Sequence, residues 1–329
     1  MKRFQWYKLF ITLFVTLAII SCGDDEEDDS GSDSEYKQNM RDFVQNISEY
    51  AKRKNNGFII IPQNGQELVT LDGNEDGSPD LDYLNAIDGV GREDLFYGYD
   101  EDNIETPASE LNYMLAFLNI CEQNGVSVLT TDYCWEHSKM DDSYSVNQSK
   151  GFISFAAPDR ELNVIPDYPS VPYNENSNNI GKLSDAKNFL YLLNNENFNS
   201  KTEFIAALGN TNYDAFIIDL FFNEDELNST DLTSLKTKKN GGKRLVIAYM
   251  SIGEAEDYRF YWQPGWSVGS PTFIEAENPD WEGNYKVQYW NADWQNIIYG
   301  STNAYLDKII AAGFDGVYLD IIDAFEYFE

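Results

Sequence analysis

Gly313-Phe314-Asp315-Gly316-Val317-Tyr318-Leu319-Asp320-Ile321-Ile322-Asp323 reads as a tight turn, a buried parallel strand and a carboxylate at the strand's C-terminal end. A helix is expected after such a strand, to pack it back onto its sheet, yet only Ala324 to Glu329 remain. The complementary piece stands at the other end of the chain. Glu35 to Lys54 places Met40, Phe43, Val44, Ile47, Tyr50 and Ala51 at helical spacing and leads into the strand pattern Phe58-Ile59-Ile60-Ile61-Pro62, with no strand before it. The two ends read as one β-strand/α-helix unit, as if a ring had been opened just after Asp323.

Between these ends, short apolar runs alternate with helical patterns, the signature of a parallel sheet wrapped in helices. Strands are predicted at 58–63, 89–96, 126–133, 151–157, 188–193, 215–221, 244–251 and 316–322, and helices at 109–122, 201–209, 230–238 and 294–312. Eight parallel strands fit a closed (β/α)8 TIM barrel, which needs about 250 residues, better than an open doubly wound sheet. The fold class expected is therefore α/β, a circularly permuted single-domain barrel over residues 36–329. If the ring is counted from 188–193, then 316–322 is its fourth strand and 89–96 its sixth. The segment 284–290 is assigned to a long, Trp-rich loop over the barrel mouth rather than to a ninth strand. Asp159 to Ser184, rich in Pro, Asn and Ser, is expected to cross the surface irregularly.

Residues 1–21 combine early basic residues with an apolar run from Leu9 to Ile20 and end in Ser21 before Cys22, so they read as a lipoprotein signal peptide. Cys22 is the expected lipidation site and membrane anchor. Residues 22–35, acidic and then Ser/Gly/Asp-rich, are expected to form a disordered tether. The pattern resembles bacterial lipoprotein signals in which an acidic run after the lipidated cysteine accompanies display on the outer-membrane surface. A plain solvated linker is the alternative. Cys121 and Cys134 would stand about 25 Å apart along a strand and are read as free structural thiols.

The formal net charge of −33 argues against nucleic acid as a partner and favours a neutral or cationic ligand. There is one histidine, His137, read as a loop residue, so a Ser/His/Asp triad or a His-rich metal site would rest on it alone. No phosphate-cradling glycine motif is present, and no metal or organic cofactor is expected. Carboxylates remain. Asp219, Glu254, Glu256, Asp320, Asp323, Glu93 and Asp132 fall at or just beyond predicted strand C-termini, where barrel enzymes place catalysts. Helix caps or rim salt bridges are the alternative for any one of them. Tyr249, Tyr258, Trp262, Trp290 and Tyr97 add aromatic faces of the kind a sugar cleft uses, although strand-end aromatics also fill cores.

Four separated blocks, Tyr249-Met250-Ser251-Ile252-Gly253-Glu254-Ala255-Glu256-Asp257-Tyr258-Arg259, Trp281-Glu282-Gly283-Asn284-Tyr285, Gly313 to Asp320, and Gly89 to Tyr97, together resemble glycoside hydrolase family 114, the endo-α-1,4-polygalactosaminidase-like barrels. In that family the Gly-Phe-Asp-Gly strand precedes the blocks corresponding to Ile61-Pro62-Gln63-Asn64-Gly65 and Gly91-Arg92-Glu93-Asp94, whereas here it follows them. The resemblance implies a glycosidase cleaving an α-1,4-linked, galactosamine-containing polysaccharide; with one strand between the fourth and the sixth, the two carboxyl groups are expected about 5–5.5 Å apart, the spacing of a retaining mechanism. Asp320 would be the ionised nucleophile and Glu93 the acid/base, its pKa raised. Gln63, Asn64, Asp132, Asp219, Tyr249, Ser251, Glu254, Tyr258, Arg259, Trp262 and Trp290 are the candidate substrate-binding residues. A non-catalytic glycan-binding lipoprotein on the same barrel, or an envelope scaffold, is the rival reading.

Overall fold

The computed structural model describes residues 30–329. The expected signal peptide, Cys22 and the start of the tether lie outside the described residues. The first helix, α1 (Ser30–Lys54), begins inside the stretch expected as tether, consistent with the preference of Ser and Asp for helix N-termini. Met40, Phe43, Val44, Ile47 and Ala51 are buried along one stripe of it.

Eight parallel strands follow the predicted positions: β1 (Ile59–Pro62), β2 (Gly89–Glu93), β3 (Ser127–Tyr133), β4 (Ile153–Ala157), β5 (Phe189–Leu192), β6 (Ala215–Ile218), β7 (Leu245–Ser251) and β8 (Gly316–Asp320). They form a five-stranded sheet in the order β1-β8-β7-β6-β5 and a three-stranded sheet in the order β2-β3-β4. As the chain ends led one to expect, β1 and β8 are parallel neighbours, in register from Ile59↔Gly316 to Pro62↔Leu319. Helix α1 lies beside them, between α2 (Leu81–Ala86) and α8 (Tyr305–Ala312). Ser48 Oγ donates to the Ala86 carbonyl at 2.5 Å and Tyr50 Oη to Asp307 Oδ1 at 2.7 Å.

The two sheets meet at two seams. Between β1 and β2 there is an isolated bridge, Gln63 with Gly91, supported by hydrogen bonds from Asn64 N to Gly91 O (2.9 Å) and from Asp88 N to Ile60 O (2.9 Å). Between β4 and β5 no strand ladder forms among the described residues; Phe155 and Phe189 pack with ring centroids 5.8 Å apart.

Three helices match their predicted positions closely: α3 (Ala108–Gln123), α5 (Lys201–Gly209) and α6 (Ser229–Leu235). The long helix expected over 294–312 is two, α7 (Ala292–Ile298) and α8, separated by a turn in which Gly300 takes φ 106°. Gly313, at φ 99°, ends α8 with its N–H shared between the Ile309 and Ile310 carbonyls, which is the tight turn read from the sequence. His137 is not a loop residue. It opens α4 (His137–Lys150), a helix whose buried face is Met140, Ser143, Tyr144 and Asn147. The excursion after β7 is likewise more than a loop, since 254–256, 284–287 and 274–277 pair as an antiparallel sheet with 284–287 in the middle. Cys121 and Cys134 are buried free thiols. Among the described residues, no helix is long and apolar enough to cross a membrane.

Candidate functional site

Three neighbouring strands, β8, β1 and β2, bring a polar residue to the same end of the molecule: Asp320, Gln63 and Glu93. Each is followed by a residue in the left-handed region, Ile321 (φ 58°), Asn64 (φ 60°) and Asp94 (φ 58°), so each strand stops abruptly where its side chain is presented. Asn and Asp tolerate this conformation, whereas for a β-branched residue it costs about 1–2 kcal/mol.

Asp320 is surrounded by phenols and apolar side chains. Burial, and next the charge of Glu93, raise its pKa from 3.8 to about 8, against the pull of the Tyr249 hydroxyl and the Ile321 backbone N–H. Tyr249 Oη donates to Asp320 Oδ2 at 2.6 Å. This direction is opposite to the ionised Asp320 expected from the sequence. Burial and the neighbouring Glu93 both favour the neutral form of this carboxyl group.

Glu93 is met by three donors from the ends of two strands, β3 and β1. Tyr133 Oη donates to its Oε1, and Gln63 Nε2 and Asn64 Nδ2 (3.3 Å) donate to its Oε2. Gln63 is itself oriented by Tyr191, whose hydroxyl donates to Gln63 Oε1 at 2.9 Å. Behind Tyr133, the Arg160 guanidinium lies 3.9 Å from the ring centroid and pairs with Asp94 (2.8 Å) and Asp102 (2.6 Å). The irregular crossing segment thus reaches the site through Arg160. Asp94 is raised to about 6 by burial, in spite of Arg160.

The remaining candidates fall into three places. Asp219 and Glu256 share Arg259, at 2.6 Å each, and Tyr258 Oη donates to Glu256 at 2.6 Å. Arg259 is thereby committed to internal partners, although Tyr258 itself is largely exposed. Ser251 is the ladder partner of Asp320 and donates to the Glu254 carbonyl at 3.1 Å. The buried Glu254 side chain accepts from Asn278 (2.8 Å) and Asn284 (3.3 Å) inside the antiparallel excursion, and burial raises its pKa. Trp262 packs on Trp266 and Tyr285. Trp290 packs on Tyr36, Tyr289 and Phe328.

Asp132 is also directed elsewhere. It is fully buried against α4, accepting from Ser143 (2.6 Å), Asn147 (3.0 Å) and the backbone N–H groups of Phe96 (2.8 Å) and Tyr97 (3.2 Å). Successive strand residues face opposite sides, so on β3 it is Tyr133, not Asp132, that joins the site.

Sequence reasoning missed Tyr133, Tyr191, Tyr318 and Arg160. The readable signal was parity: Tyr318 stands two residues before Asp320 and so shares its face. Burial holds Tyr133, Tyr191, Tyr249 and Tyr318 as protonated phenols, each raised well above its ordinary pKa. Three of them are committed to Glu93, Gln63 and Asp320. Tyr318 Oη is buried with no hydrogen-bond partner, and it occupies the space above Gly91, where a Cβ would lie 1.9 Å from it. Among the described residues no group of three His, Cys, Asp or Glu side chains is arranged to hold a metal ion.

The second half of this architecture matches a known family. The stretch from residue 174 to residue 329, containing β5 to β8 with Asp219, Tyr249 and Asp320, fits the model of glycoside-hydrolase family GH114. Residues 174–329 belong to family GH114. Glu93, Gln63, Asn64 and Tyr133 lie before the GH114 stretch. An uncharacterized protein of Methanocaldococcus jannaschii is 42% identical over 153 residues, which are 46% of this chain and 41% of that protein. An uncharacterized protein of Deinococcus radiodurans is 54% identical over 83 residues, 25% of this chain and 26% of its own length. One from Thermotoga maritima is 49% identical over 81 residues, 25% of this chain and 24% of its own length. The matches therefore span between a quarter and two-fifths of these relatives.

Proposed function

We propose that the protein is a glycoside hydrolase in which Asp320 and Glu93 form the catalytic pair of a circularly permuted (β/α)8 barrel. The observation that carries this reading is the asymmetry of the pair. Burial and the neighbouring Glu93 push the Asp320 pKa up to about 8, while Glu93 is met by Tyr133, Gln63 and Asn64 as donors. A carboxyl group that favours its neutral form beside a second one offered hydrogen-bond donors is the arrangement that suits an acid and its nucleophile or base in glycosidic cleavage. Asp320 is the group that delivers the proton to the leaving oxygen, and Glu93 is left as nucleophile or base. These roles are the exchange of those implied by the family resemblance, and they follow from burial of Asp320.

The substrate we propose is an α-1,4-linked, galactosamine-containing polymer, cleaved with retention. Support comes from GH114 membership and from the acidic residues beside the pair. Asp323 is raised to about 6 by burial, and Glu326 to about 7 by partial burial and then by Asp323, Glu67 and Glu329, as expected where negative charge is crowded and a cationic sugar would relieve it. We further propose, from residues 1–35, that the enzyme is an exported lipoprotein anchored through Cys22 at the outer-membrane surface; loss of palmitate labelling in Cys22→Ser tests this.

The deciding experiment incubates the purified protein, and its Asp320→Asn and Glu93→Gln variants, with a panel of amino-sugar polymers. New reducing ends from the wild type are expected, falling by orders of magnitude in each variant with the fold intact, and product NMR reports the anomer. Polymer retention without reducing ends would instead show a glycan-binding protein.

A further inference from the structure

Of the three polar strand ends at the site, only one is followed by a residue unsuited to its backbone. Asn64 and Asp94 enter the left-handed region readily, but Ile321, at φ 58° and ψ 42°, is β-branched. Its surroundings account for its staying there. The Ile321 carbonyl oxygen lies 2.2 Å, and its Cγ2 2.8 Å, from where a Cβ on Gly253 would stand. The next side chain, Ile322, is fully buried, with its Cγ2 2.8 Å from where a Cβ on Gly65 would stand. Gly253 follows β7 and Gly65 follows β1, the two strands that flank β8. The turn after Asp320 is thus closed between the loops of both neighbouring strands, and each of those loops presents a glycine at the point of contact. Backbone strain maintained in this way clusters at sites where a group must be held in one place.

We propose that Ile321 is the positioning residue for Asp320: its side chain, closed over Gly253, locks the left-handed turn that begins at the Ile321 backbone N–H, directly after the strand that presents the Asp320 carboxyl group. The catalytic consequence rests on the function proposed above; the geometric claim does not. That N–H acts with the Tyr249 hydroxyl to restrain the rise in the Asp320 pKa.

Three variants of the purified protein test the assignment. At a position with negative φ, glycine is less stabilising than alanine; where φ is positive the order inverts. Ile321→Gly is therefore expected to melt above Ile321→Ala. The Asp320 carboxyl resonance, assigned by its loss in Asp320→Asn and followed by 13C NMR, is expected to titrate near its wild-type midpoint of about 8 in Ile321→Val. In Ile321→Gly it titrates higher, because the unlocked turn no longer holds the N–H in place. On a glycan that the wild type cleaves, Ile321→Gly loses about tenfold or more in kcat with KM little changed, and Ile321→Val retains the wild-type rate. An alanine variant as stable as the glycine variant, or an Asp320 titration unmoved in Ile321→Gly, overturns the proposal. A wild type that cleaves no glycan removes the proposed function, while the melting order and the titration still judge Ile321.

Discussion

Tyr249 and Asp320 are joined by a 2.6 Å hydrogen bond although they are not ladder partners; Tyr249 faces Tyr318 across the ladder, and Asp320 faces Ser251. The phenol therefore reaches up one layer to the carboxyl group at the strand end. Removing that donor in Tyr249→Phe withdraws a contact that favours the charged form, so Asp320 is expected to titrate above its wild-type value of about 8. A 13C NMR titration checks this, and a midpoint at or below the wild-type value would count against the bond as a determinant of the site.

The same carboxyl group makes stability depend on pH in a definite direction. With an ordinary pKa of 3.8 in the unfolded chain and about 8 in the fold, Asp320 keeps a proton that the unfolded chain has lost. Its contribution is fully present below the unfolded value and is lost as pH rises through about 8. Asp94 and Asp323, each raised to about 6, act in the same sense over the lower part of that window. Asp320→Asn cannot ionise, so its Tm relative to wild type is expected to climb steadily between about pH 4 and pH 8. Calorimetry in matched buffers would show a flat difference if Asp320 were an ordinary carboxylate.

Tyr318 and Gly91 make a paired prediction. The Tyr318 hydroxyl is buried without a partner, so Tyr318→Phe removes no hydrogen bond and relieves a desolvated polar group. The variant is expected to melt at or above the wild-type temperature. Gly91→Ala drives a methyl group into the same phenol and is expected to cost about 1–3 kcal/mol or more. Denaturant titration of the two variants distinguishes the signs.

Far from the site, Lys238 and Asp214 form a fully buried ion pair at 2.8 Å, with Asn176 Nδ2 and the Lys187 N–H also bound to Asp214 at 2.8 and 2.9 Å. Lys238→Met leaves the carboxylate without its cation and is expected to cost about 3–5 kcal/mol. Replacing both partners together, by Met and by Leu, is expected to recover much of that loss, read from urea midpoints.

The strands were legible because each is a short run of apolar residues bounded by turn residues, and β8 with its Gly313 cap is the clearest of them. Helix α4 was not, because its inner face uses Ser143 and Asn147 to serve Asp132 and Thr130, leaving no apolar stripe to detect. The break between α7 and α8 was marked by Gly300-Ser301-Thr302-Asn303, a turn-rich cluster overridden by the apolar periodicity around it. At the site, counting acidic residues at strand ends found Asp320 and Glu93 but could not separate Asp132 from them. One step along a strand changes the face, and only the ladder register fixes which step is inward. Tyr133 and Arg160 needed contacts between distant segments that no local pattern carries.

Asp320 belongs to the five-stranded sheet and Glu93 to the three-stranded one, so the proposed pair is divided by the β1–β2 seam rather than fixed by a common ladder. Across that seam the backbone offers one bridge and the hydrogen bonds from Asn64 N and Asp88 N, and the Gln63 and Asn64 side chains add to the tie. The spacing of the two carboxyl groups is accordingly set across a seam, not along a ladder.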